Sequence, residues 1–231
     1  MPYIVQEILT DVSKALYDED GTIWYNGDDE GAQSELLAHL NSSIVDIVTL
    51  DPSAKTFNGV FVAVAGPKQT LPSDAVAFLD LPYNLDSTGL VVGRSIRKTT
   101  IGSMEAYRPN WSASPPSAVT RNVAVDPEEP RTFYCWPPCL VGSKKQIKYS
   151  QVPADLTALT DVYPLPDMYK DSSYAFILWR ALMRKDENGN PTLAEMWRNT
   201  YLQTMGQAFA APGKLRVGAP ETTSTQNNVQ S

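Results

Sequence analysis

RTFYCWPPCLVGSKKQIKYSQVPADLTALTDVYPLPDMYKDSSYAFILWRALM, residues 131–183, carries two short strand signals, a proline-fenced connection and the most amphipathic helical stretch of the chain. Phe133 and Cys135 fall on one face of an extended segment, with Tyr134 and Trp136 on the other. Pro137-Pro138 is expected to end that strand, because proline has no N–H to give to a ladder. After a turn at Val141-Gly142-Ser143, Ile147 and Tyr149 alternate with Gln146, Lys148 and Ser150. That is the half-buried pattern of a partner strand, so the two segments read as a hairpin with a long loop. Past Pro164 and Pro166 the period becomes helical. Tyr169, Ser173, Phe176, Ile177 and Arg180, against Ser172, Trp179, Leu182 and Met183, leave a wide apolar face over 166–184, with Asp167 placed to cap the first turn.

Upstream of that stretch, Val5, Ile8, Leu9, Val12 and Leu16 recur at helical spacing, so residues 3–17 read as an amphipathic helix. A second helix over 33–50 carries Leu36, Leu37, Leu40, Ile44, Ile47 and Val48 on one side and stops at Asp51-Pro52. Two such neighbours are expected to pack as an antiparallel pair. Downstream, Asn190-Pro191 opens a helix over 191–209, with Leu193, Met196, Trp197, Tyr201, Met205 and Ala208 facing inwards. In between lie short strand signals at 59–65, 75–81, 90–92, Ile96 and 119–125. YRPNWSASPP, residues 107–116, is too rich in proline for regular structure and reads as a surface loop pinned by Trp111.

The expected fold is therefore α+β: a four-helix bundle of N- and C-terminal helix pairs (1–52 and 164–210) interrupted by a β-rich insertion (53–163). A flexible, extended tail (211–231) follows. Its end, TTSTQNNVQS, has too little apolar surface to offset the entropy of ordering it.

Charge and composition exclude several functions. Nineteen Lys and Arg against 26 Asp and Glu leave a net charge of -7, and no run of cations exceeds Lys144-Lys145. Sequence-independent nucleic-acid binding depends on clustered cations that release counterions, so it is not expected. Glu7 and Asp11 interrupt any signal-like apolar run, and no stretch approaches the ~20 apolar residues of a membrane span. Residence in the cytoplasm, with no membrane partner, is expected. Phosphate-loop, dinucleotide and serine-elbow motifs are missing from the sequence.

The residues that could carry chemistry are few. His39 is the single histidine, so Cys135 and Cys139 in CWPPC lack the partners of a zinc site, and Cys135 reads as a small apolar core residue. The acidic clusters at 18–20 and 28–30 do not match a calcium-loop spacing. Neither an enzyme nor a cofactor or metal site is expected. Trp136, Trp179 and Trp197 lie at strand or helix periodicity, as core or interface anchors do. Trp24 and Trp111, on loops, are candidate partner contacts.

The phrases FYCWPP, IKYSQVPADL and YPLPDMYKDSSYAFILWRALMRKDE, in that order, with QTLPSDAVAFLDLPYNL and YRPNWSAS upstream, resemble the head-to-tail adaptor or connector proteins of short-tailed bacteriophages. The resemblance covers residues 4–210. It implies a structural virion protein: a homo-oligomeric ring, expected to be twelvefold, docked under the portal. Such a ring extends the DNA channel without specific binding and offers a platform to the tail nozzle protein. The resemblance also implies a C-terminal arm that clasps portal protein, which places portal contact on Lys214, Leu215, Arg216 and Val217. The alternative is a tail-associated carbohydrate-binding or carbohydrate-degrading module using Trp24 and Trp111.

Overall fold

In the computed structural model, which describes residues 3–20, 23–24, 35–185 and 188–210, the helices are α1 (Val5–Ala15), α2 (Glu35–Leu50), α3 (Ile101–Tyr107), α4 (Lys170–Leu182) and α5 (Pro191–Ala210). The strands are β1 (Thr56–Val62), β2 (Gly66–Thr70), β3 (Ala75–Leu85), β4 (Val92–Ser95), β5 (Arg97–Thr99), β6 (Asn122–Val125), β7 (Thr132–Cys139) and β8 (Lys144–Gln151). They form two four-stranded sheets, ordered β1-β8-β3-β4 and β2-β7-β6-β5. All pairs are antiparallel except β5 with β6.

The α+β class holds, but the four-helix bundle of N- and C-terminal pairs does not. Helix α4 is the hub: α2 and α5 pack along it, whereas the main chains of α1 and α2 scarcely approach each other although both helices contribute side chains to the same core. The reason lies at the start of α1, whose first amides need acceptors that no earlier turn supplies. Val5 N donates to Asp161 O and Gln6 N to Leu159 O, both at 2.9 Å, and Tyr163 N donates to Tyr3 O at 2.8 Å. These bonds fasten α1 to the segment entering α4. Helix α4 buries Ser172, Ser173, Ala175, Phe176, Ile177, Leu178, Ala181 and Leu182, nearly its whole circumference, as a central helix must. Between the helices the chain builds the two sheets. They face each other over a core of their own, in which Phe133 stacks on Phe78 at 4.6 Å and meets Phe61 at 5.4 Å.

Several local expectations also change. The strand signal at FYCW continues through Pro137-Pro138 to Cys139, and β7 does not pair with β8. Proline is tolerated there because both ladders skip it: β6 pairs with β7 from Phe133 to Trp136 only, and β2 shifts register between Tyr134 and Cys139, while the carbonyl of Pro138 accepts from Ser117 N at 2.8 Å. The turn after Leu140, with Gly142 at φ 77°, carries the chain from one sheet to the other. Asp167 caps nothing; it lies in a 3-10 turn, Asp167–Tyr169, and α4 begins without a side-chain cap. Asn190 does cap α5, its Oδ1 accepting from Leu193 N at 3.1 Å. The inward face of α5 is Ala194, Tyr201, Met205 and Ala208, while Met196 is half exposed. Among the described residues no helix is long and apolar enough to cross a membrane.

Candidate functional site

Strand β5 lies parallel to β6, with Arg97 opposite Asn122 and the Arg97 amide donating to Arg121 O at 2.9 Å. On the other side of β6, Asn122 faces Trp136 of β7. Three strands thus set Arg97, Arg121 and Trp136 side by side. Helix α3 closes a wall: Thr100 Oγ1 accepts from Ser103 N at 3.1 Å to start it, and Arg108 follows its last turn. Trp111, buried in a short 3-10 turn and edge-on to Tyr134 at 6.0 Å, pins the loop that carries Arg108.

The result is a recess of about 570 Å³ lined by Arg94, Arg97, Arg108 and Arg121, with Trp136, Asn122 and small hydroxyl side chains between them. No carboxylate lines it. The guanidinium groups of Arg108 and Arg121 lie over the Trp136 ring, at 5.4 and 5.9 Å from its centre. Among the described residues no acid pairs with any of the four arginines. Such a recess offers donors in fixed forks and no acceptor charge, which suits carboxylates or phosphates.

A buried polar knot holds the recess in shape. Asn84, 3 % exposed, donates from Nδ2 to Arg94 O and Thr120 O, both at 2.8 Å, and its Oδ1 accepts from Thr120 N at 2.8 Å. The fully buried Lys145 ammonium donates to Ala118 O at 3.2 Å and Ser143 Oγ at 3.3 Å. These bonds fix the main chain on which Arg94 and Arg121 sit. Beside the knot, Cys135 and Cys139 are free and buried. The two thiols interact, Thr120 Oγ1 lies 3.6 Å from Cys139 Sγ, and Lys145 stands near. Cys139 is therefore the more acidic of the two, while its neighbour's pKa is pushed up.

A second surface feature is apolar. The β3–β4 turn exposes Leu90, Val91 and Val92 by 85, 62 and 55 %. Val60, Leu85, Leu90 and Val92 line one shallow groove. This turn is ordered, because Asp86 Oδ1 accepts from Gly89, Leu90 and Val91 amides at 2.8–3.1 Å.

The residues singled out from the sequence lie elsewhere. Trp24 is 2 % exposed in the helical core, covered by the Arg184 guanidinium at 4.8 Å, and its amide donates to Asp18 Oδ2 at 2.8 Å. Trp111 is 7 % exposed in a separate cluster, so the two loop tryptophans do not converge. His39 is partly buried on α2, and burial lowers its pKa. No group of metal-ligating residues occurs among the described residues. Lys214, Leu215, Arg216 and Val217 lie outside the described residues. The arginine recess was not read from the sequence. Its signal is present: residues 87–125 hold Arg94, Arg97, Lys98, Arg108 and Arg121 against Glu105 alone, in a chain of net charge -7.

A family model described as SU10 adaptor protein matches residues 3–227. No curated protein matches the chain. Among solved structures, the chain is similar to one titled "Neck of empty GTA particle computed with C6 symmetry", at 15 % sequence identity. The likeness covers 79 % of this chain and 87 % of that one, with a TM-score of 0.29.

Proposed function

The chain belongs to the SU10 adaptor protein family, and on that premise we propose that it is a structural virion protein of a phage neck. It forms a ring under the portal, continues the DNA channel without specific binding and offers a platform to the tail nozzle. One observation carries this reading: the family match extends over residues 3–227, helices, sheets and much of the tail alike. The exposed Leu90, Val91 and Val92 on an ordered turn support it, since a ring of identical subunits needs surface patches that an isolated chain leaves uncovered. We place portal contact on the segment Lys214, Leu215, Arg216 and Val217, whose two cations and two apolar side chains suit an extended strand docking in a groove. Assembly takes place in the host cytoplasm, and twelve copies make the ring.

Electron microscopy of purified portal mixed with this protein tests the reading. A closed ring of extra density on one face of the portal is expected, and its absence at saturating protein sinks the proposal. Deletion of residues 212–231 is expected to leave a folded chain that no longer decorates portal. The carbohydrate reading has no observation in its favour, as both of its tryptophans are buried.

A further inference from the structure

Four of the nine arginines of an acidic chain converge on one recess with no acid to meet them. Four guanidinium groups around one recess with no acid among them make it a region of positive potential that favours an anion. Two anions of different class suit the donors, phosphate and carboxylate, and the surroundings favour the second. Arg108 and Arg121 already occupy the Trp136 ring, which removes the free aromatic face on which a base would stack. The recess is also a concavity of about 570 Å³ in a chain of net charge -7, whereas a duplex needs an extended basic track.

A carboxylate source is present on the same molecule. Strand β6 begins at the recess, with Arg121 just before it, and ends in the turn Asp126-Pro127-Glu128-Glu129-Pro130, exposed from Pro127 onward with Asp126 partly buried. That turn is stiffened by two prolines and by the Glu129 N to Asp126 O and Thr132 N to Glu129 O bonds, at 3.1 and 2.9 Å. Glu129 is taken up by Lys68 at 2.6 Å, but among the described residues no cation pairs with Asp126 or Glu128. Arg121 and Asp126 are five residues apart along this strand, roughly 16 Å at ~3.3 Å per residue, and among the described residues none of the four arginines pairs with its own turn. Opposite charges at the two ends of one rigid element are what a head-to-tail contact requires.

We propose that the recess formed by Arg94, Arg97, Arg108 and Arg121 receives the acidic turn Asp126–Pro130 of a second copy of this chain. The proposal rests on the ring reading above for its place in the particle, but not for its test. A fluorescent peptide of residues 124–132 is titrated into the purified chain by anisotropy, with a 20-base-pair duplex and inorganic phosphate as the comparison probes. Saturable peptide binding is expected at low salt, weakened at least about tenfold by the pair Arg108→Glu and Arg121→Glu and by raising salt to about 0.5 M. A peptide carrying Asp126→Lys and Glu128→Lys is expected not to bind wild type and to bind the double arginine variant. No binding at low salt, or binding indifferent to the arginine changes, overturns the proposal. So does a recess that holds the duplex and ignores the peptide. Wild type that binds peptide yet forms no ring on portal refutes the ring reading and leaves this contact standing.

Discussion

The helical and sheet parts of this molecule bury polar groups for different reasons. Around α4 the buried polar groups sit at helix seams and ends: Ser43 Oγ meets Ser173 Oγ at 3.0 Å, Ser173 meets the Tyr163 hydroxyl at 2.7 Å, and Tyr169 donates to Asp51 at 2.5 Å. The helices satisfy their own main chain, so these contacts add to packing that is already complete. Between the sheets, long side chains complete a main chain that is not self-sufficient. Asn84 completes the main chain of Arg94 and Thr120, Lys145 that of Ala118, and Gln69 that of Val64 and Gly66, in segments that have no full ladder of their own. On the helical side polar side chains chiefly join helices, with Asp18 and Asn41 also completing loop main chain at Trp24 and Leu156; on the sheet side, completing loop main chain is the chief task of Asn84, Lys145 and Gln69.

The largest effect should follow from breaking the sheet member. Asn84→Leu keeps volume but strands Arg94 O, Thr120 O and Thr120 N, and is expected to cost roughly 3–5 kcal/mol, read by denaturant unfolding. A cost under about 1 kcal/mol would mean that water replaces Asn84 and that the two cores are alike. Next, Tyr169→Phe removes one bond to the Asp51 carboxylate, and a loss of about 2 kcal/mol is expected by the same method. Ile177→Val, a single methylene from the fully buried face of α4, should cost about 1 kcal/mol, the apolar baseline for the other two.

The smallest effect is a local one. Asp86, held by Thr88 and the amides of Val91, Gly89 and Leu90, has its pKa lowered to about 2. Because the folded value is below the unfolded one, the turn is fully stabilised above about pH 4 and loses that stabilisation as pH falls through about 2. An NMR titration of the carboxyl should give that midpoint. An ordinary carboxylate midpoint would show that the β3–β4 turn is not held in solution.

The same contrast explains what could be read in advance. Helices were legible because Val5, Ile8, Leu9 and Val12, or Leu36, Leu40, Ile44 and Ile47, announce a buried face by spacing alone, and all eight are buried. Their partners were not legible, since the acceptors for α1 come from residues 159 and 161. In the sheets, alternation located β7 and β8 but could not say that two successive strands belong to different layers. Asn84 and Lys145, which look like surface residues in sequence, carry the seam. The arginine recess escaped for a related reason: its four cations are separated by up to 27 positions and converge through the parallel β5–β6 pair.

The fastening of Tyr3, Val5 and Gln6 to residues 159–163 also bears on how the chain is made. On the ribosome, α1 and α2 emerge ahead of the sheets and have no hub to pack on until α4, more than a hundred residues later, has left the exit tunnel. Both sheets are complete in the nascent chain by Gln151. The order of synthesis therefore favours a folded sheet body carrying an open, apolar N-terminal arm, which closes last. Translation intermediates stalled before α4 should expose Leu36 and Leu40 to proteases while protecting Phe133. Protection of both at that stage would show that the first two helices find a partner before α4 does.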